Sequence, residues 1–279
     1  MARGGDVAAI GEGAGSFELA ARPGADAPRL TVWTYRPARL GPDDPVVIVM
    51  HGAARNGRAY RDVWAAHAER YGALLLAPEF SRAGFPTARE YEVGNMRDRE
   101  RRPLPPEEWS FAIVERLFDA ARLAVGSRRC GYRLFGHSAG AQFVHRMLTF
   151  LPGCRVEAAV AANAGCYTLL DEAERFPYGL GGLPPGGEGA LQVLGRRLTL
   201  LLGEADSDPE APLLLKTPEA LRQGEHRLAR GLRYYRHAEA LAERMRAPFA
   251  WRLVTLAGIG HSHSAVAGEA ARILLGGSD

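Results

Sequence analysis

The sequence predicts an α/β fold, a mostly parallel central sheet flanked by helices, on three observations. Short apolar runs recur at 46-VVIVM-50, 73-ALLLAP-78, 130-CGYRLF-135 and 198-LTLLLG-203. Segments with helical periodicity separate them. One strand-like run ends in Gly136-His137-Ser138-Ala139-Gly140, and a helical pattern begins at once. Strands that are apolar along their whole length are those covered on both faces by crossover helices, as in parallel sheets.

Taken in chain order, residues 1–15 are rich in Gly and Ala and are expected to be flexible. The segments 17-FEL-19 and 30-LTVWTYRP-37 alternate polar with apolar and have no helix between them, which predicts an antiparallel start. Strand 46–50, helix 58–71 and strand 73–78 follow, then an unpatterned connection over 79–108. A helix over 109–125 follows an amphipathic pattern of Trp109, Ala112, Ile113, Arg116 and Leu117, and Trp109 and Phe111, which open it, read as core. Strand 130–135, helix 139–150 and strand 157–165 lead into a second unpatterned connection, 166–192. Strand 198–203, helices 219–230 and 234–246, strand 249–258 and helix 264–275 complete the chain. Tyr234 and Tyr235 read as packing residues. No repeat or linker divides it, so residues 1–279 are expected to form one domain. Both long connections leave parallel strands, and so emerge at the carboxyl edge of the sheet, where ligands bind in open α/β folds.

Composition narrows the function classes. The 279 residues are 47% hydrophobic and 24% charged, with a net charge of +3. Of the 35 cationic residues all but Lys216 are arginine, and they are scattered. The densest stretch, 97-RDRERR-102, is broken by Asp98 and Glu100, so no nucleic-acid footprint is read. Cys130, Cys154 and Cys166 lack metal-binding spacing. A Cys154–Cys166 bridge is the pairing open to an exported protein. No run approaches the ~18 apolar residues of a membrane span. The N-terminus lacks the apolar core of a signal peptide. A cytoplasmic location is expected, with a processed exported form as the alternative.

A serine between two glycines at a strand-to-helix turn has a chemical reading. The turn is sharp enough to strain the serine, the glycines relieve clashes, and the helix directs its N-terminal N–H groups at the hydroxyl. The bland reading is a helix-capping serine. A serine hydroxyl becomes a good nucleophile only beside a base that a carboxylate orients. Downstream, 200-LLLGEADSDPE-210 ends a strand with two aspartates, and 253-LVTLAGIGHSHSAV-266 ends another with two histidines. Asp206 is preferred as the acid over Asp208, which precedes a proline, and over Glu204 and Asp171. His261 is preferred over His263, which sits at the start of the last helix. The oxyanion of an acyl-transfer intermediate needs two donors. Ala139 N–H follows the nucleophile, and Ala53 N–H in 47-VIVMHGAARNG-57 is the second.

With HGA at 51–53, GHSAG at 136–140, GEAD at 203–206 and GIGH at 258–261 in this order, the chain resembles the α/β-hydrolase superfamily over about residues 17–275. It is most similar in outline to compact bacterial esterases of the polyhydroxyalkanoate-depolymerase, feruloyl-esterase and dienelactone-hydrolase kind, which have no large helical cap. It departs from dienelactone hydrolases, which carry cysteine at the elbow where Ser138 stands. The resemblance implies acyl transfer to water by Ser138, His261 and Asp206, with no metal or organic cofactor.

Three functional readings follow. The first is a carboxylesterase acting on a small or polymeric ester, polyesters and aromatic esters included. The second is an amidase, peptidase, thioesterase or acyltransferase with the same triad. The third is a non-catalytic binding protein on a hydrolase scaffold, disfavoured because all three triad positions are filled. Loops over the carboxyl edge offer Arg55, Asn95, Met96 and Tyr167 as substrate contacts, with Asn56, Arg97 and Cys166 beside them. Acyl chain length and oligomeric state leave no mark in the sequence.

Overall fold

Eight strands make one sheet in the order β1-β2-β4-β3-β5-β6-β7-β8. The computed structural model describes residues 9–24, 27–183 and 188–277. The strands are β1 (Gly13–Ala20), β2 (Arg29–Arg36), β3 (Val46–Met50), β4 (Leu74–Pro78), β5 (Tyr132–His137), β6 (Val156–Ala162), β7 (Leu198–Gly203) and β8 (Arg252–Leu256). The helices are α1 (Gly57–Tyr71), α2 (Ser110–Val125), α3 (Ala139–Phe150), α4 (Glu188–Leu191), α5 (Pro218–Gln223), α6 (Arg227–Met245) and α7 (His263–Leu275). β1 pairs antiparallel with β2, and β2 with β4; the remaining pairs are parallel. The antiparallel start and the parallel remainder are those the residue pattern predicts.

Two cores lie on opposite faces of the sheet. Alternation along β3 divides them: Ile48 and Met50 join Leu134, Phe111, Phe143 and Tyr234, while Val47 and Val49 join Phe135, Trp64, Ala267 and Leu274. Thus α2, α3 and α6 cover one face, and α1 and α7 the other. All five residues of β3 and of β4 are buried, which is why these strands are apolar throughout.

Several expected boundaries change. Gly13–Gly15, placed in the flexible N-terminal stretch by composition, pair with Thr34–Arg36, so β1 starts earlier than Phe17; residues 1–8 of that stretch lie outside the described residues. The helix expected over 219–230 breaks at Gly224, whose φ of 155° no helix accommodates. Its second half fuses with the next helix into α6, because Gly231 packs flush beneath Leu202 of β7. The strand expected to reach residue 165 stops at Ala162, where Asn163 turns to φ 49°. The connection 79–108 is closely folded, burying Phe80, Phe85, Tyr91 and Met96. Residues 184–187 of the connection 166–192 lie outside the described residues. All three cysteines are free, so the Cys154–Cys166 pairing is not formed; each of the two accepts from a different arginine, Cys154 from Arg196 and Cys166 from Arg146. Among the described residues no helix is long and apolar enough to cross a membrane.

Candidate active site at the carboxyl edge of the sheet

Ser138 follows the last residue of β5 and precedes the first residue of α3, with φ 57° and ψ −114°. An L-residue in that region is strained by about 1–3 kcal/mol and persists only where its surroundings enforce it. The flanking glycines show the enforcement. A Cβ on Gly136 would run into the carbonyl group of Gly140, and one on Gly140 would run into Met50 O and lie 2.8 Å from His51 O. The elbow is therefore packed directly against the end of β3, with which β5 is in register from Met50 to Gly136. The helix begins without a spacer, so Ala139 N–H has no intrahelical acceptor and points outward from the positive end of α3.

The two strands beyond β6 supply the partners, Asp206 following β7 and His261 following β8. Ser138 Oγ and His261 Nε2 are 3.0 Å apart, and His261 Nδ1 is 2.7 Å from Asp206 Oδ2. A carboxylate only accepts, so Nδ1 carries the proton and Nε2 is left to receive one from the serine. Asp206 is 3% exposed in its side chain and His261 28%, so the carboxylate is buried and the imidazole faces solvent. The loops that carry them are stitched together: Ala205 N–H donates to Ile259 O at 2.9 Å, and Glu204 N–H to Leu256 O at 3.0 Å. Asn163, buried at the end of β6, accepts from Gly203 N–H at 2.9 Å and donates to Gly260 O at 3.4 Å.

The segment after β3 closes the other side. Gly52 lies against Ser138, and a Cβ there would sit 3.7 Å from the serine Cβ. His51 holds this segment down: its Nδ1–H donates to Gly52 O at 2.9 Å, and its Nε2 accepts from Phe80 N–H at 3.0 Å. Burial pushes His51 down to about 4, so it stays neutral in the tautomer those two bonds require. Tyr91 donates to His51 O at 2.7 Å. Tyr60 of α1 reaches His137 Nδ1 at 3.2 Å and stacks on His263, with ring centres 4.1 Å apart. Burial, followed by the nearby His261, His263 and Arg227 charges, holds His137 well below the ordinary imidazole range. Its ring centre is 4.7 Å from that of His261.

No protein-family model and no curated protein matches this sequence. Solved structures do. Poly(aspartic acid) hydrolase-1 from Sphingomonas sp. KT-1 is 42% identical over 95% of this chain and 99% of its own, with a TM-score of 0.91. The poly(3-hydroxybutyrate) depolymerase LpqC from Bordetella parapertussis is 36% identical over 96% of this chain and 92% of its own, with a TM-score of 0.89. The siderophore hydrolase EstB from Aspergillus nidulans, at 15% identity and a TM-score of 0.57, shares the fold. The chain belongs to the α/β-hydrolase superfamily. It is a hydrolase, similar to bacterial depolymerases and esterases.

In this α/β-hydrolase the serine, aspartate and histidine preferred on sequence converge, and the alternatives do not. Asp208 is exposed and accepts from Glu210 N–H at 2.8 Å, capping its own turn. His263 is half-buried on Tyr60. The expected substrate contacts fare differently. Met96 and Tyr167 are core side chains, Tyr167 stacking on Tyr234 with ring centres 4.6 Å apart. Arg55 is 7% exposed and is occupied by Phe80 O and Thr87 O, lying over the Tyr91 ring. Asn95 bonds to Arg89 and to Glu108 O, as a loop residue tying its own connection together. These residues build the wall behind the site, because a connection dense in Phe and Tyr folds inward. Four residues at the site escaped the sequence reading: Tyr60, Asn163, Gln142 and Arg227. Gln142 stands one turn beyond Ser138 on α3, with Cys166 Sγ 3.1 Å from its Oε1. Arg227 left no local trace, because it opens a helix only through the break at Gly224, inside the helix expected over 219–230.

Proposed function

We propose that this chain hydrolyses carboxylic esters through an acyl-enzyme, with Ser138 as nucleophile, His261 as base and Asp206 as its orienting acid. The observation that supports this is the unbroken hydrogen-bond chain from Ser138 Oγ through both nitrogens of His261 to Asp206. In this reading His261 Nε2 takes the serine proton as Oγ attacks the carbonyl carbon. Asp206 stabilises the imidazolium that forms. The oxyanion accepts from Ala139 N–H at the helix terminus and from Ala53 N–H, each donor of this kind being worth about 3–4 kcal/mol. His261 then protonates the leaving oxygen, and the same cycle with water releases the acid. Likeness to a poly(3-hydroxybutyrate) depolymerase favours a polymeric ester as substrate.

A second reading, amide hydrolysis by the same groups, is favoured by the 42% identity to a poly(aspartic acid) hydrolase, since that polymer is amide-linked. Arg82 is consistent with it: exposed, held by Ala53 O at 3.2 Å, and with no carboxylate partner among the described residues. The test is a fluorophosphonate probe and a short p-nitrophenyl ester series on the wild type and on Ser138→Ala. Labelling and turnover are expected in the wild type, with kcat lowered about 10⁵-fold or more in the variant. An ester and an amide of one acyl group then rank the two readings. Absence of labelling in the wild type means Ser138 is not an activated nucleophile, and both readings fall.

A further inference from the structure

The oxygen of Asp206 turned away from His261 is also taken. Oδ1 accepts from Arg227 Nη1 at 3.2 Å, while Oδ2 faces His261. Both side chains of this ion pair are nearly out of water, 4% exposed for Arg227 and 3% for Asp206. The second terminal nitrogen of Arg227 donates to Pro212 O at 2.9 Å, fixing the guanidinium to the stretch that follows the acid. The main chains are joined as well, Leu228 N–H donating to Asp206 O at 3.2 Å. Arg227 is the first residue of α6, at the positive end of the helix, where a cation is disfavoured, and its Nε is buried without a partner. Folding alone is poorly served by such a placement, since a buried ion pair returns little net stability.

We propose that Arg227 is the positioning residue of the triad: it holds the Asp206 carboxylate in the plane that the His261 imidazole needs. This rests on the triad reading above. A carboxylate with one partner can rotate about its Cβ–Cγ bond. A rigid fork fixed at both Oδ1 and Pro212 O removes that freedom. The groups facing His261 are Ser138, Asp206 and His137, with Tyr60 and His263 behind His137. His137 is kept neutral by burial. Tyr167 also feels the Asp206 charge, and burial keeps its phenol protonated. Arg230, one turn along α6, is occupied by the carbonyls of Gly165, Leu215 and Gly224. Arg227 is thus the cation that acts on the acid.

The experiment compares wild type, Arg227→Met and Arg227→Lys for p-nitrophenyl acetate hydrolysis and fluorophosphonate labelling rate across about pH 5–9, with folding checked by circular dichroism. In Arg227→Met, kcat and labelling rate are expected to fall about tenfold or more at each pH, with KM nearly unchanged. Arg227→Lys restores a donor without the fork, and part of the rate returns. Wild-type kcat in Arg227→Met overturns the proposal, as do equal losses in both variants or a loss carried by KM, the pattern of a merely structural residue. Should Arg227→Met not fold, Arg227→Lys decides. A severalfold loss of labelling rate, with a broadened downfield proton resonance for the His261–Asp206 bond, supports positioning; wild-type rate and resonance refute it. A wild type that neither turns over nor labels refutes the triad reading instead, a distinct result.

Discussion

At Ser138 the backbone is made to carry chemistry. Its positive φ is held in place because the residues two before and two after have no side chains and touch other backbone. This differs from the common use of glycine for flexibility: Gly140 is needed for closeness, against Met50 and His51 at the end of β3. Gly140→Ala therefore has no side-chain tip to push aside. It is expected to cost about 1–3 kcal/mol of stability and to abolish fluorophosphonate labelling, because the elbow and the end of β3 are the two surfaces forced apart. A variant that labels at wild-type rate would show that the close packing is incidental to the nucleophile. His51 illustrates the other way a single residue is fixed: both ring nitrogens are used, one donating and one accepting, so one tautomer is selected.

Between elements, the site depends on how the ends of β6, β7 and β8 are tied. These strands are in register as far as Ala162–Leu201 and Gly203–Leu256, so the acid loop and the histidine loop leave the sheet side by side. Asn163 bridges them with one side chain, serving Gly203 N–H and Gly260 O. Its φ of 49° suits Asn or Gly. Asn163→Gly keeps the backbone and removes the bridge, leaving Gly203 N–H buried without its acceptor. A loss of about 1–3 kcal/mol is expected, read from urea melts, with kcat lowered severalfold and KM nearly unchanged. An unaltered kcat would mean that the main-chain bonds of Ala205 and Glu204 position the loops unaided. α6 belongs to the same assembly, since it packs flush on β7 at Gly231 and starts with Arg227.

For the molecule as a whole, three buried imidazoles set an acid limit. Burial holds His51 down to about 4 and His137 and His145 well below their ordinary range. His145 repeats the arrangement of His51, donating to Ala141 O at 2.9 Å and accepting from Thr168 N–H at 3.0 Å. Each group binds its proton more weakly folded than unfolded. The stability each contributes is complete above the unfolded value near 6.5 and is lost as pH falls toward the folded one. For His51 alone this amounts to about 2 kcal/mol between pH 7 and pH 5. Denaturation midpoints are expected to fall over that window, before most carboxylates protonate. A midpoint that holds constant from pH 7 to pH 5 would contradict neutral burial of these rings.

The chain alone disclosed the alternation of strand and helix, the parallel sheet, the elbow, and the order of serine, aspartate and histidine. Each of these is written in a few consecutive residues at a strand end, where backbone geometry and chemistry coincide: Gly136–Gly140, Gly203–Asp206, Gly258–His261. Tertiary structure decided what fills the space around them. Arg55, Met96 and Tyr167 sit in loops that a linear reading puts at the mouth of the site, yet packing against Phe80, Tyr91 and Tyr234 takes them inward. Arg227 reaches Asp206 across 21 residues of sequence, and Asn163 reaches Gly203 across 40. Contacts of that separation leave no periodicity behind, because they are set by where helices dock and strands end once the whole sheet is assembled.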